Sequence, residues 1–181
     1  LLRQHLPFID WDCEPDLQAE RAELMTEQLS RNEAFLGADA QAALATMCVT
    51  VVGLGGSGSH AAQLLARTGV GRLRLIDPAA VQPNSLRTSA LATAADLGRP
   101  KVEVVRDALL RTVPQARFDV LVEAVSDEAS ARRLLCAPHA PPSDYLLVCL
   151  PPAALPAAAA AFAAAAAAPE TAAMGGRAAA N

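Results

Sequence analysis

Six residues, Gly53-Leu54-Gly55-Gly56-Ser57-Gly58, constrain this chain more than any other feature. They match G-x-G-x-x-G, a pattern that carries little weight alone. Its surroundings add the weight. The run before it, Cys48-Val49-Thr50-Val51-Val52, is short, β-branched and stopped by glycine, as a buried strand is. The run after it predicts a helix over 59–68, a turn at Gly69 and Gly71, and a second strand over 72–76 that ends at Asp77. Strand, tight turn, helix and strand within 46–77 make one right-handed parallel βαβ unit of dinucleotide-binding type. Gly53 permits the sharp turn, and Gly55 and Gly56 let backbone N–H groups approach phosphates. Gly58 lets helix and strand pack closely. The helix start adds partial positive charge. Asp77, 24 residues after Gly53, stands where a ribose hydroxyl would donate to it.

Rival readings of the loop fail on inspection. A P-loop needs Gly-Lys-Ser/Thr, but Ser59 and His60 follow Gly58. A nucleophile elbow needs G-x-S-x-G, and the second position after Ser57 is Ser59. Ser57 is read as a loop residue, and His60 receives no role.

The rest of the chain extends the same α/β pattern. The 181 residues suffice for one domain of ordinary size. Aromatics are scarce, so Leu, Val, Ile and Ala must fill the core. Helices are expected over 17–35, capped by Asp16, and over 39–45, 99–112 and 127–135. Further strands are expected over 118–125 and 145–150. The expected fold is a Rossmann-like three-layer α/β unit, mostly parallel, with helices on both faces and a shortened sheet. Residues 1–37 read as a helical extension, with 1–15 irregular, and 38–150 as the nucleotide domain. The stretch 151–181 reads as an Ala/Pro-rich tail with little to pack against, disordered or loosely helical. A net charge of −4 excludes a general basic coat but not a local arginine patch. The four cysteines form no C-x-x-C pair; Cys48 and Cys149 read as buried small hydrophobes in an intracellular, reducing setting. No signal peptide is read, since 1–11 lacks a long apolar run, and no membrane span, since the apolar run 157–168 would be only about 18 Å long as a helix.

Two segments, Val51-Val52-Gly53-Leu54-Gly55-Gly56-Ser57-Gly58-Ser59 and Gly69-Val70-Gly71-Arg72-Leu73-Arg74-Leu75-Ile76-Asp77, resemble the ubiquitin-activating-type adenylyltransferase superfamily. Asp96-Leu97-Gly98-Arg99-Pro100-Lys101-Val102-Glu103 extends the likeness. Arg31-Asn32-Glu33-Ala34-Phe35-Leu36-Gly37 resembles the tRNA threonylcarbamoyladenosine dehydratases within it. The resemblance implies ATP-dependent activation of a carboxylate with Mg²⁺, on a tRNA substrate, in a homodimer. It implies that Asp77 holds the ribose, Lys101 the phosphates, and Arg31 the nucleotide of a neighbouring subunit. Lys101 also stands out unaided, being the single lysine beside fourteen arginines. Members of this branch are cytoplasmic or attached to the mitochondrial outer membrane.

The pattern also departs from the superfamily. Where it carries Ser-x-Leu-Asn-Arg, this chain has Asn84-Ser85-Leu86-Arg87-Thr88, so Arg87 would reach the phosphates from one residue early and Asn84 would supply the amide. Ser126 falls at the metal-binding position, with Asp127 one residue late. The connection over 114–120 is too short for an additional strand and helix. The RNA-facing candidates are Arg67, Arg72, Arg74, Arg106 and Arg111. Three other readings stay open: an activator of a ubiquitin-like or sulfur-carrier protein, a catalytically degraded nucleotide-binding remnant, and an NAD-dependent dehydrogenase.

Overall fold

A computed structural model describes residues 15–135 and 142–167. Most of the irregular start expected over 1–15, and 168–181 of the tail, lie outside the described residues. Four strands, β1 (Cys48–Val52), β2 (Arg72–Ile76), β3 (Arg117–Leu121) and β4 (Tyr145–Val148), form a parallel sheet in the order β3-β2-β1-β4. The described helices are α1 (Pro15–Leu36), α2 (Ala38–Thr46), α3 (Gly56–Thr68), α4 (Lys101–Leu110), α5 (Glu128–Leu135) and α6 (Leu155–Ala167). Two short 3₁₀ turns, Pro83–Arg87 and Ala94–Asp96, punctuate the connection from β2 to α4.

β1 holds the centre because all five of its residues are buried, which a continuous β-branched run suits. It pairs with β2 from Cys48↔Arg72 to Val52↔Ile76, and with β4 from Val49↔Tyr145 to Val52↔Val148. Val49, Val51, Leu73 and Leu75 point to one face, where Ala62 and Ala66 of α3 and Val102, Val105 and Leu109 of α4 cover them. Val52 and Ile76 point to the other face, against Ala131 and Leu134 of α5 and Phe162 and Ala165 of α6. The result is the expected three-layer Rossmann-like fold. The chain winds from β1 out to β3, then returns to lay β4 on the opposite edge of β1. That reversal opens a crevice at the carboxyl ends of β1 and β4, where such sheets bind ligands.

Several element boundaries differ from expectation. β3 stops at Leu121, not at residue 125, because its partner β2 ends opposite it at Ile76. β4 stops at Val148, opposite Val52, where Gly53 turns the central strand away. α1 begins at Pro15, so Asp16 lies within the helix rather than capping it. α4 begins at Lys101, with Pro100 just outside it. β3 does follow α4 after six residues, with no additional strand or helix between them.

Two corrections go deeper. The Ala-rich stretch finds much to pack against: Ala158, Ala161, Phe162 and Ala165 of α6 are buried, and α6 lies along α5 on the sheet. Small side chains let two helices approach closely, so poverty in bulk did not mean absence of a core. Cys48 is buried, whereas Cys149 is only partly so; burial pushes both thiols above their ordinary range.

Arg74 is the other surprise. It is fully buried, with no exposed surface. Thr50, Arg74 and Asp119 stand side by side across β1, β2 and β3. Nη1 of Arg74 donates to the Leu134 carbonyl at 3.1 Å and to Ser143 Oγ at 3.2 Å. Its Nε lies 3.8 Å from Asp119 Oδ2, and Arg72 Nη1 bonds Asp119 Oδ1 at 2.8 Å. Thr50 and Ser143 share a hydrogen bond through their hydroxyls. This polar row ties α5 and the residues before β4 to the sheet. Without the guanidinium, the Leu134 carbonyl and Ser143 Oγ lose a charged donor. Arg74→Met is therefore expected to lower unfolding stability by about 2–3 kcal/mol, read as a reduced urea midpoint. An unchanged midpoint in Arg74→Met would refute the assignment.

Candidate nucleotide-binding site

The glycine loop fills the turn from β1 to α3. Gly53 has φ +87°, and a Cβ there would come within 2.6 Å of the Cys149 carbonyl. Its N–H donates to the Ile76 carbonyl at 2.8 Å. A Cβ at Gly58 would run into the Gly53 carbonyl. These two glycines let the helix start lie directly on the strand end, as the sequence predicts. Gly55 and Gly56 face the other way. A Cβ at Gly55 would meet nothing within 4 Å. Helix α3 begins at Gly56, three residues earlier than expected, with Gly55 as N-cap and no side chain capping it. The N–H groups of Gly56, Ser57 and Gly58 thus occupy the first helical turn without intrahelical partners, an arrangement ready for an anion.

Asp77 sits at the end of β2 with only 6% of its surface exposed. Its Oδ2 accepts from the Leu54 N–H at 2.7 Å and its Oδ1 from the Ala79 N–H at 2.8 Å. The carboxylate therefore fixes the glycine loop to β2. Each oxygen retains a lone pair for a ribose hydroxyl.

Lys101 opens α4, and its backbone N–H donates to the Ala79 carbonyl at 3.0 Å. Its side chain borders a depression of about 10 Å³ shared with Leu54, Val81 and Ser85. No described residue forms an ion pair or hydrogen bond with Nζ, so the charge stands ready for a ligand. Asn84 and Arg87 are exposed on the turn Pro83–Arg87. That turn leans on the loop: a Cβ at Gly56 would lie 3.5 Å from Thr88 Cβ. The fold thus brings together the glycines, Asp77, Lys101 and the segment bearing Asn84 and Arg87. The sequence reading missed Ser59, which joins that segment to the loop by accepting from the Ala90 N–H at 2.9 Å. A contact across 31 residues leaves no local signal.

Asp127 precedes α5. Its Oδ1 accepts from the Ser130 N–H at 2.8 Å, and Ser126 Oγ donates to Oδ2 at 3.3 Å. The bonds from Ser130 foremost hold its carboxyl below the usual range. Among the described residues no three acidic, His or Cys side chains gather as a metal cluster. One ionised carboxylate nevertheless suits Mg²⁺, which usually takes one or two carboxylates and completes its shell with water and substrate phosphates.

Other candidates lie elsewhere. Arg31 is exposed on α1. Nearby, Gln28 Nε2 donates to the Thr112 carbonyl at 3.0 Å, beyond the last turn of α4. Leu29 packs under Gly69 at the far end of α3. A helix of this length separates Arg31 from its own glycine loop by about 20 Å. The proposed arginine patch also needs revision. Arg74 is buried, Arg72 is paired with Asp119, and Arg106 with Asp107. Arg67 and Arg111 remain exposed and free of described ion pairs, and Arg117 joins them at the amino-end rim of the sheet. A cavity of about 390 Å³ also lies at that rim, bordered by Met47, Gly71, Arg72 and Arg117. It is at the opposite end from the glycine loop, so the nucleotide assignment follows the loop and the switch point rather than cavity size.

The ThiF family model matches residues 29–168. The chain belongs to the ThiF family. It is 33% identical over 107 residues to tRNA threonylcarbamoyladenosine dehydratase 1 of Saccharomyces cerevisiae, covering 59% of this chain and 25% of that protein. It is 42% identical over 97 residues to molybdopterin-synthase adenylyltransferase of Escherichia coli, covering 54% and 39%. The solved structure of E. coli tRNA threonylcarbamoyladenosine dehydratase TcdA in complex with ATP matches with a TM-score of 0.64 and 26% identity, covering 69% of this chain and 49% of that one. The chain thus spans well under two thirds of these relatives. Among the described residues of this ThiF chain, no helix is long and apolar enough to cross a membrane.

The open space at Gly55 and the closed space at Gly58 separate binding from folding. Gly55→Ala is expected to leave the melting temperature within about 2 °C, since its methyl meets no atom of the protein. The same substitution should weaken ATP binding by about tenfold, since the methyl takes the space through which backbone reaches phosphate. Gly58→Ala should destabilise the fold by about 1–3 kcal/mol through overpacking. Calorimetric ATP titration beside thermal melts checks both, and Gly55→Ala binding ATP as wild type does would reject the phosphate assignment.

Proposed function

We propose that this chain provides the nucleotide-binding part of an ATP-dependent carboxylate-adenylating enzyme, with tRNA-borne threonylcarbamoyladenosine as its substrate. The observation that carries the reading is the uncapped glycine-lined start of α3 ringed by Asp77, Lys101 and the Arg87 turn. The likeness to tRNA threonylcarbamoyladenosine dehydratases supports the substrate.

In this reading the N–H groups of Gly56, Ser57 and Gly58 hold phosphate oxygens, and Asp77 accepts from the ribose. A threonyl carboxylate oxygen attacks the α-phosphorus of ATP, and the bond to the β-phosphate bridging oxygen breaks, releasing pyrophosphate. Lys101 and Arg87 offset the charge that grows on the phosphate oxygens in the transition state. The acyl-adenylate then closes on itself and expels AMP. Asp127 would hold Mg²⁺, which when bound neutralises phosphate charge. Arg67, Arg111 and Arg117 offer contacts to an RNA backbone, whose binding would weaken with salt. The 42% identity to a molybdopterin-synthase adenylyltransferase favours a second reading, activation of a carrier-protein C-terminus.

The distance of Arg31 from its own loop supports a homodimer in which each subunit completes the other's site. Pyrophosphate release that requires the modified tRNA, and falls about 100-fold in Lys101→Ala, is the expected result. Release driven instead by a carrier protein would favour the second reading. ATP binding with no release from either substrate would mark a catalytically degraded remnant. Mixing Lys101→Ala chains with Arg31→Ala chains should restore about a quarter of wild-type release, because each mixed dimer carries one intact site. No recovery on mixing would argue against the shared site.

A further inference from the structure

The turn that carries Asn84 and Arg87 is anchored at both ends. At its entrance, the Val81 N–H donates to the Arg99 carbonyl at 2.8 Å, and the Gly98 N–H donates to the Val81 carbonyl at 2.9 Å. At its exit, the Ala90 N–H donates to Ser59 Oγ at 2.9 Å. Between these points the turn is stiff. Buried Ser85 accepts from the Gln82 N–H through its hydroxyl at 3.1 Å. Its carbonyl accepts from the Thr88 and Ser89 N–H groups at 3.1 and 2.8 Å. A stiff segment moves mainly as a unit, by losing an anchor.

The exit anchor is unusual in what it joins. Ser59 is fully buried. Its hydroxyl proton goes to the Gly56 carbonyl at 3.2 Å, while its oxygen accepts from Ala90. Gly56 begins the helix whose free N–H groups face the anion site. One buried oxygen therefore joins the anion-binding backbone to the arginine-bearing turn. Without it the partly buried Ala90 N–H loses its partner, and outward movement of the exit toward water would satisfy it.

We propose that Ser59 is a positioning residue that fixes Arg87 relative to the phosphates, an inference that rests on the adenylation reading. Its loss would act on rate more than on nucleotide affinity. The N–H groups of the first turn and Asp77 remain to bind ATP, whereas a displacement of about 1 Å at a charge-stabilising group can slow a reaction about 100-fold.

The test compares the full chain with Ser59→Ala, Arg87→Ala and the double variant. ATP affinity, pyrophosphate release with modified tRNA, and hydrogen exchange at the Ala90 amide are measured for each. Ala90→Pro removes the donor from the other side and leaves α3 untouched. The expected result for Ser59→Ala is ATP affinity within about threefold of wild type and release slowed about tenfold or more. Exchange at Ala90 should quicken about tenfold, and adding Arg87→Ala should slow release little further. Ala90→Pro should reproduce the slowed release. Multiplicative effects of Ser59→Ala and Arg87→Ala, or wild-type exchange at Ala90 in Ser59→Ala, would overturn the proposal. If the wild-type chain binds ATP but releases no pyrophosphate, the adenylation reading fails. The Ser59 anchor is then judged on Ala90 exchange alone.

Discussion

Everything around the candidate site depends on the contact between Gly58 and Gly53. The first turn of α3 rests on the carbonyl at the end of β1, with no room for a side chain between them. That contact aims the helix start at the crevice left by the return of the chain to β4. Asp77 then secures the loop by binding the Leu54 N–H. Two constraints from different strands thus hold one short piece of backbone. The consequence is a set of N–H donors fixed before any ligand arrives, so little reorganisation is needed when negative charge develops nearby.

The two faces of the sheet are built on different physics. The α3/α4 face is wholly apolar where it meets the strands. The α5/α6 face carries Thr50, Arg74 and Asp119 in its middle, with Val52 and Ile76 beyond them toward the carboxyl ends. Apolar packing tolerates small shifts, whereas a buried ion pair is sensitive to geometry. The polar row therefore fixes how α5 sits, and with α5 the residue Asp127 that precedes it.

Much of this was legible in the sequence where the signal is local. The five-residue strand, the glycine spacing and the acidic strand end lie within thirty residues and dictate one another. Lys101 stands out through its singularity among arginines, and the fold sets it beside Leu54 of the glycine loop. What escaped notice depends on distant partners. Arg74 alternates with Leu73 and Leu75 as a solvent-facing residue would; only the layer brought by α5 and Ser143 buries it. The strand expected to run to residue 125 is cut at Leu121 by the length of its neighbour. Ser59 looked like one more small residue in a glycine-rich turn, and its partner Ala90 has no distinguishing chemistry. The composition of the Ala-rich stretch does not reveal whether a neighbouring helix offers a surface that small residues fit.

That helix has a further consequence for how the molecule comes apart. Alanine loses no rotamer freedom when buried, so α6 can order with little entropic penalty. Each alanine also removes little apolar area from water, and Phe162 is the single large buried side chain that α6 contributes. The opposite layer instead seats Val102, Val105 and Leu109 against the sheet. The two sides therefore differ in how readily they open. On this balance α6 is expected to lift from α5 before α3 and α4 leave the sheet. A protease or chaperone meeting this protein would encounter the alanine face first, with the nucleotide loop still formed behind it.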